Sequence, residues 1–156
     1  MLGYLNGHFV RSYTRAGSFV TAFYAVLDPA SRTLTYSTAG HNPPRLVHNH
    51  RVDSLDKVGS LPLGVAAGEP YREAAITMER RDLLLLYTDG ITEAMAPAER
   101  KEAHDLFGVG RLDDILLSCG ASAAGDCINR IRAEVIAFAG NTPPTDDQTL
   151  MAIRCL

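Results

Sequence analysis

Leu83-Leu84-Leu85-Leu86-Tyr87-Thr88-Asp89-Gly90 is the stretch on which the reading of this chain turns. A short apolar run closed by a turn has the length of a buried strand, not of a helix. It has no polar alternation, so both of its faces are covered and it belongs in the middle of a sheet. Its exit is acidic. The reverse arrangement occurs near the end of the chain, where Asp146-Asp147-Gln148-Thr149 precedes Leu150-Met151-Ala152-Ile153. A carboxylate at the end of a buried strand is costly unless it is paired, hydrogen-bonded or bound to a metal. Two such ends in one small domain point to a site for a hard divalent cation with oxygen ligands. Taken singly, either turn is most simply a solvated loop, because Asp and Gly are ordinary turn residues.

Upstream of this strand the signals are β. Phe19 to Leu27 is rich in strand-forming residues and is followed by Asp28-Pro29, which suits the first two positions of a type I turn. Thr33 to Thr38 then alternates with period two, so the pair predicts a hairpin. Beyond the punctuated loop Gly40-His41-Asn42-Pro43-Pro44, Arg45 to Asn49 and Val52 to Leu55 form a second, weaker hairpin. Tyr71 to Met78 is a further strand. The first residues, Met1 to Asn6, carry an apolar stripe but neither a cap nor the length that makes a helix stable alone.

Helical signals come later. Val109 to Leu117 is short and amphipathic. Ser122 to Ala139 is a full helix with Cys127, Ile128, Ile131, Val135 and Phe138 on one side, Ser122 as N-cap and Gly140 as stop. Strands, then helices, then a closing strand indicate an α+β fold with largely antiparallel sheets. With 156 residues, the chain is most simply a single domain.

Composition excludes several classes. Hydrophobic residues at 46% and charged residues at 21% are ordinary for a globular protein. A net charge of −3 offers no electrostatic reason to expect nucleic acid or an anionic membrane as partner. The basic residues read as scattered, Glu79-Arg80-Arg81-Asp82 being a mixed-sign cluster. No apolar run approaches the length of a membrane span. The three cysteines, Cys119, Cys127 and Cys155, have no metal-ligand spacing. They read as packing residues of a protein kept in a reducing cytoplasm. His104-Asp105 lies in a polar stretch and reads as a loop, and Gly108-x-Gly110 lacks the context of a nucleotide site.

Five segments in order carry a resemblance: Phe19 to Tyr24, Ala39 to Pro44, Leu61-Pro62-Leu63-Gly64, Thr88 to Ala94, and Asp146 to Thr149. Over nearly its whole length the chain resembles the bacterial serine phosphatases of the stage II sporulation protein E and RsbU type. These are a branch of the metal-dependent type 2C protein phosphatase superfamily. The resemblance implies two packed antiparallel sheets flanked by helices, with a centre of two Mn²⁺ or Mg²⁺ ions at one end of the sandwich. It implies Asp89 and Asp146 as metal ligands, with Gly90, Asp147 and Glu93 in support. His41 would lie on the rim, to orient phosphate or donate a proton to the leaving serine oxygen, although a His in such a loop is commonly a surface residue. The implied substrate is phosphoserine or phosphothreonine on a regulatory protein of the anti-sigma-factor antagonist type.

The chemistry agrees with that implication. Phosphate monoester hydrolysis is among the slowest uncatalysed reactions, with enzymatic accelerations up to ~10²¹. Divalent ions address it with carboxylates and no protein nucleophile. Neither Cys119 nor Cys127 has an Arg six positions downstream, as a cysteine phosphatase loop requires. The departures are also clear. Nothing in residues 1–156 matches the family's Asp-x-Ser-Gly-His-Gly-like metal segment, Asn6-Gly7-His8 being too slight, and Arg81-Asp82 stands where Gly-Asp is common. The expectation is therefore a chain with half of the metal ligands, near-silent alone and prone to self-association. The alternative is a non-catalytic protein-interaction module derived from the same fold.

Overall fold

The computed structural model describes residues 1–12, 17–97 and 105–156. The fold is α+β, with two antiparallel sheets and flanking helices. The chain forms two compact units, one of Met1–Pro43 with Leu55–Glu79, the other of Pro44–Ser54 with Arg80–Leu156.

The first unit opens on α1 (Leu2–Ser12), where the sequence offered no stable helix. Tertiary contacts supply what local propensity lacks. Leu2 is buried against Ala39 and Leu63, with Leu5 and Phe9 packed beside them. Asn6 is 2% exposed and fully used. Its Nδ2 donates to the Ala66 carbonyl at 2.8 Å, and its Oδ1 accepts the Gly64 N–H at 2.9 Å. The sheet of this unit has the order β1 (Ala22–Asp28), β2 (Thr33–Ala39), β5 (Ala74–Thr77). The expected hairpin is present, in register from Ala22↔Ala39 to Asp28↔Thr33. Its turn is held by Asp28, whose carboxylate accepts the Ser31 hydroxyl at 2.6 Å and the Ala30 N–H at 3.0 Å. Those bonds, the Ser31 hydroxyl first, hold the Asp28 carboxyl below its ordinary range. Phe19 to Thr21 precede β1, and Val20 instead bridges to Leu63.

The second unit contains the sheet β4 (Arg51–Ser54), β3 (Arg45–His48), β6 (Leu83–Tyr87), β7 (Leu150–Arg154). The Leu-rich strand is central, paired with β3 on one side and along its whole length with β7, from Leu83↔Arg154 to Tyr87↔Leu150. The β3–β4 turn is Asn49-His50, both in the left-handed region at φ 46° and 60°, the pattern of a type I′ hairpin turn. The core of this unit gathers Leu83 and Leu85 of β6 with Leu112 and Leu116 of α3 (Gly108–Cys119) and Ile131 of α4 (Ala124–Ala139). Each of these five is 0% exposed. Burying such a side chain contributes ~1.5–3 kcal/mol. Arg45 of β3 ties the sheet to α3 through a two-point pair with Asp113, Nε to Oδ1 at 2.8 Å and Nη2 to Oδ2 at 2.5 Å.

Two expectations are corrected here. Ser122 is not the N-cap of α4. Ala123 takes that position with no side-chain bond, and the first turn relies on packing of Cys127. The stop at Gly140 stands, at φ 57° with its N–H on the Ile136 carbonyl. The cysteines are not all free packing residues. Cys119 and Cys127 form a disulfide between the end of α3 and the start of α4, Cα atoms 5.6 Å apart, leaving Cys155 free. Both cysteines are buried where α3 gives way to α4, and with two of the three bridged, cysteine usage does not indicate a reducing compartment.

Candidate metal centre

The site is built where β6 ends and β7 begins. Because these strands pair throughout, the turn after Tyr87 and the turn before Leu150 must abut. Thr88 fastens them. Its hydroxyl donates to the Asp147 carbonyl at 2.8 Å and accepts the Thr149 N–H at 2.9 Å, and its own N–H donates to the Thr149 carbonyl at 3.2 Å. Thr88 occupies the N-cap position of α2 (Asp89–Thr92) with extended backbone. A threonine there ordinarily caps its own helix. Here the side chain is diverted to the neighbouring turn.

Gly90 explains how closely the turns approach. A Cβ at that position would stand 2.6 Å from the Asp147 carbonyl oxygen and 3.1 Å from that of Asp146. Only a residue without a side chain fits. Gln148 completes the clamp, its Nε2 donating to the Gly90 carbonyl at 2.9 Å. The Asp147 N–H donates to Asp146 Oδ1 at 2.7 Å, which fixes the Asp146 carboxylate within its turn. Glu93 closes α2 through its backbone, its N–H donating to the Asp89 carbonyl at 2.7 Å, while its side chain is exposed. Thr88 and Gln148 went unassigned in the sequence; the only signal was a capping-type residue before the first Asp and an amide after the second pair.

Asp89, Asp146 and Asp147 are all exposed. That corrects the premise that desolvation demands a partner for them: water solvates these carboxylates, and two unit charges ~4 Å apart in water repel by only about 1 kcal/mol. Among the described residues, none of the three is held in an ion pair. The carboxylates are therefore collected on abutting turns without a compensating cation, as hard oxygen donors suited to Mg²⁺ or Mn²⁺. Two ligands are nevertheless a minority of an octahedral shell, and among the described residues no group of three or more His, Cys, Asp or Glu could hold a metal ion. Beneath the site, Tyr87 is buried, and burial pushes its hydroxyl above the ordinary range, with lesser effects from Arg45 and Asp113.

The remaining residues fall elsewhere. His41 belongs to the other unit, half-buried, its Nδ1 sharing a hydrogen bond with Thr21 Oγ1 at 3.3 Å. His104 lies outside the described residues, and Asp105 is engaged by Arg111 at 2.8 Å. Gly110 lies within α3 and Gly108 opens it, which leaves no nucleotide loop.

Known proteins share this chain's family pattern and fold. All 156 residues match the family described as stage II sporulation protein E. The phosphoserine phosphatase RsbU of Bacillus subtilis is 29% identical over 92 residues, 58% of this chain and 28% of RsbU. Protein IcfG of Synechocystis is 24% identical over 148 residues, 95% of this chain and 22% of IcfG. The chain thus spans less than a third of the curated relatives it matches. Among solved structures, the SiaA-PP2C domain of Pseudomonas aeruginosa superposes with a TM-score of 0.84 at 20% identity, over 98% of this chain and 58% of that one. The pairing of β6 with β7 that joins the two acidic turns is thus embedded in a type 2C phosphatase fold, and the chain belongs to the stage II sporulation protein E family.

Proposed function

We propose that this chain is part of a metal-dependent serine/threonine protein phosphatase and supplies Asp89 and Asp146 to its Mn²⁺ or Mg²⁺ centre. The observation that carries this reading is the clamp of Thr88, Gly90 and Gln148, which holds uncompensated carboxylates on abutting turns. Bound ions would acidify a water and neutralise phosphoryl oxygens. The residues of this chain hold and orient. Asp89 and Asp146 present carboxylate oxygens, Asp147 and Gln148 keep the second turn in place, and Glu93 secures the first. His41, tethered through Nδ1 to Thr21, serves as proton donor to the leaving serine oxygen. The substrate class is a phosphoserine or phosphothreonine on a cytoplasmic regulatory protein of the anti-sigma-factor antagonist type. The two-carboxylate donor set favours, as second reading, a non-catalytic interaction module.

Mn²⁺ titration followed by amide NMR separates the readings. Paramagnetic broadening centred on Asp89, Gly90, Asp146 and Asp147, weakened in both Asp89→Asn and Asp146→Asn, supports the phosphatase reading. Broadening elsewhere, or broadening indifferent to both substitutions, overturns it.

A further inference from the structure

At the opposite end of β6 from Asp89, a cavity of about 250 Å³ opens between the β3–β4 turn, the segment Arg80–Asp82 and the end of α3. Two arginines and a histidine line it: Arg80, Arg81 and His50, all exposed and, among the described residues, in no side-chain ion pair. The one carboxylate in its wall, Asp82, is already answered. It is 4% exposed and accepts from His48 Nδ1 at 2.9 Å, while Asn49 Nδ2 donates to His48 Nε2 at 2.8 Å. Arg154 of β7 is bonded to the same segment. Its Nη1 donates to the Arg81 carbonyl at 2.7 Å, and its Nε and Nη2 are shielded from water without a partner. The adjacent pair Arg80-Arg81 thus shares this cavity with His50 of the β3–β4 turn.

The backbone singles out the same place. Among the described residues, four non-glycine residues have positive φ, and three of them, Asn49, His50 and Arg81 at 75°, line this cavity. The hairpin turn explains the conformation at position 50, but Gly is the residue that conformation favours. Arg81 likewise sits where a glycine would relax the chain. An imidazole and a guanidinium are thus kept at positions their own backbones disfavour, and both line one cavity. Strain of this kind is a pointer to function.

We propose that this cavity is a binding site for a small phosphate monoester, its phosphate held by Arg80, Arg81 and His50 and its organic part against Val47, Leu117 and Ala121. Guanidinium groups match phosphate oxygens with paired, charge-assisted hydrogen bonds. The volume is several times the ~30 Å³ share of one water molecule and leaves room beyond the phosphate. The proposal does not depend on the metal centre, so it is tested with EDTA present.

The experiment is amide NMR of the full chain titrated with glycerol 3-phosphate, inorganic phosphate, and glycerol as uncharged control. Saturable shifts at Asn49, His50, Arg80 and Arg81 with glycerol 3-phosphate, absent with glycerol, are expected. Tighter binding of the ester than of inorganic phosphate identifies an organic phosphate as the ligand, and equal binding identifies free phosphate. Arg80→Gln and Arg81→Gly should each weaken binding about tenfold or more. Arg81→Gly relieves the left-handed position, so its melting temperature should hold or rise, which separates lost binding from lost folding. No saturable shift, shifts confined to the Asp89 and Asp146 turns, or unchanged binding in both variants overturns the proposal.

Discussion

Gly90 is the residue on which the acidic turns depend most directly. In Gly90→Ala the new methyl would have to displace backbone oxygen, since the Asp147 carbonyl stands 2.6 Å away. Forced overpacking of this kind costs about 1–3 kcal/mol, and urea denaturation should show a loss of that size together with weaker Mn²⁺ broadening. Thr88→Val keeps the shape but removes the hydroxyl bonds to Asp147 and Thr149. A loss of about 1–2 kcal/mol is expected from two such bonds, again with weakened metal response. Tyr87 gives a pH signature. Its native pKa lies above the ordinary value of 10.0, so the stabilisation linked to its neutral form is complete below pH 10 and is lost as pH rises through the raised value. Tyr36 and Tyr71 are shifted the same way by burial. Stability should therefore fall above pH 10, and Tyr87→Phe should make that alkaline limb shallower in pH-dependent denaturation.

Among the elements, α1 and the α3–α4 pair show packing overriding local signals. Asn6→Ala removes the acceptor of the buried Gly64 N–H and the donor to Ala66. An unsatisfied buried group costs about 1–3 kcal/mol, so this variant should lose stability on that scale, and helical circular dichroism should fall as α1 detaches. The Cys119–Cys127 bridge closes a loop with a sequence separation of 8. By the chain-entropy relation such a loop is worth about 2–3 kcal/mol. Urea melts with and without reductant should differ by that amount, and Cys119→Ser with Cys127→Ser should abolish the difference.

For the whole molecule the edge strand β1 is decisive. Val26 is 54% exposed and Leu27 40%, and Phe19 just before the strand is 60% exposed. An apolar, unprotected sheet edge recruits another strand. The 156-residue chain should accordingly sediment above monomer mass, and Val26→Lys should shift it toward monomer in analytical ultracentrifugation. With two carboxylates as its donor set, it should turn over a phosphoserine peptide with Mn²⁺ only marginally. Vigorous turnover by a monomer would overturn both expectations.

From the sequence by itself come β6, its central place, the β1–β2 hairpin, both late helices, and the two acidic turns as a matched pair. Each is written in local terms, as apolar run length, period and punctuation, which act over a few residues. The clamp of Thr88 and Gln148, the helix at Leu2–Ser12, the disulfide, and the convergence of His50, Arg80 and Arg81 were decided only by tertiary structure. Most of these join residues far apart in the chain, as Asn6 with Gly64 and Thr88 with Thr149 do, while the disulfide, with a sequence separation of 8, depends on how α3 and α4 meet. Hydrogen bonds, packing and charge act through distance in space, and strand pairing is what sets that distance.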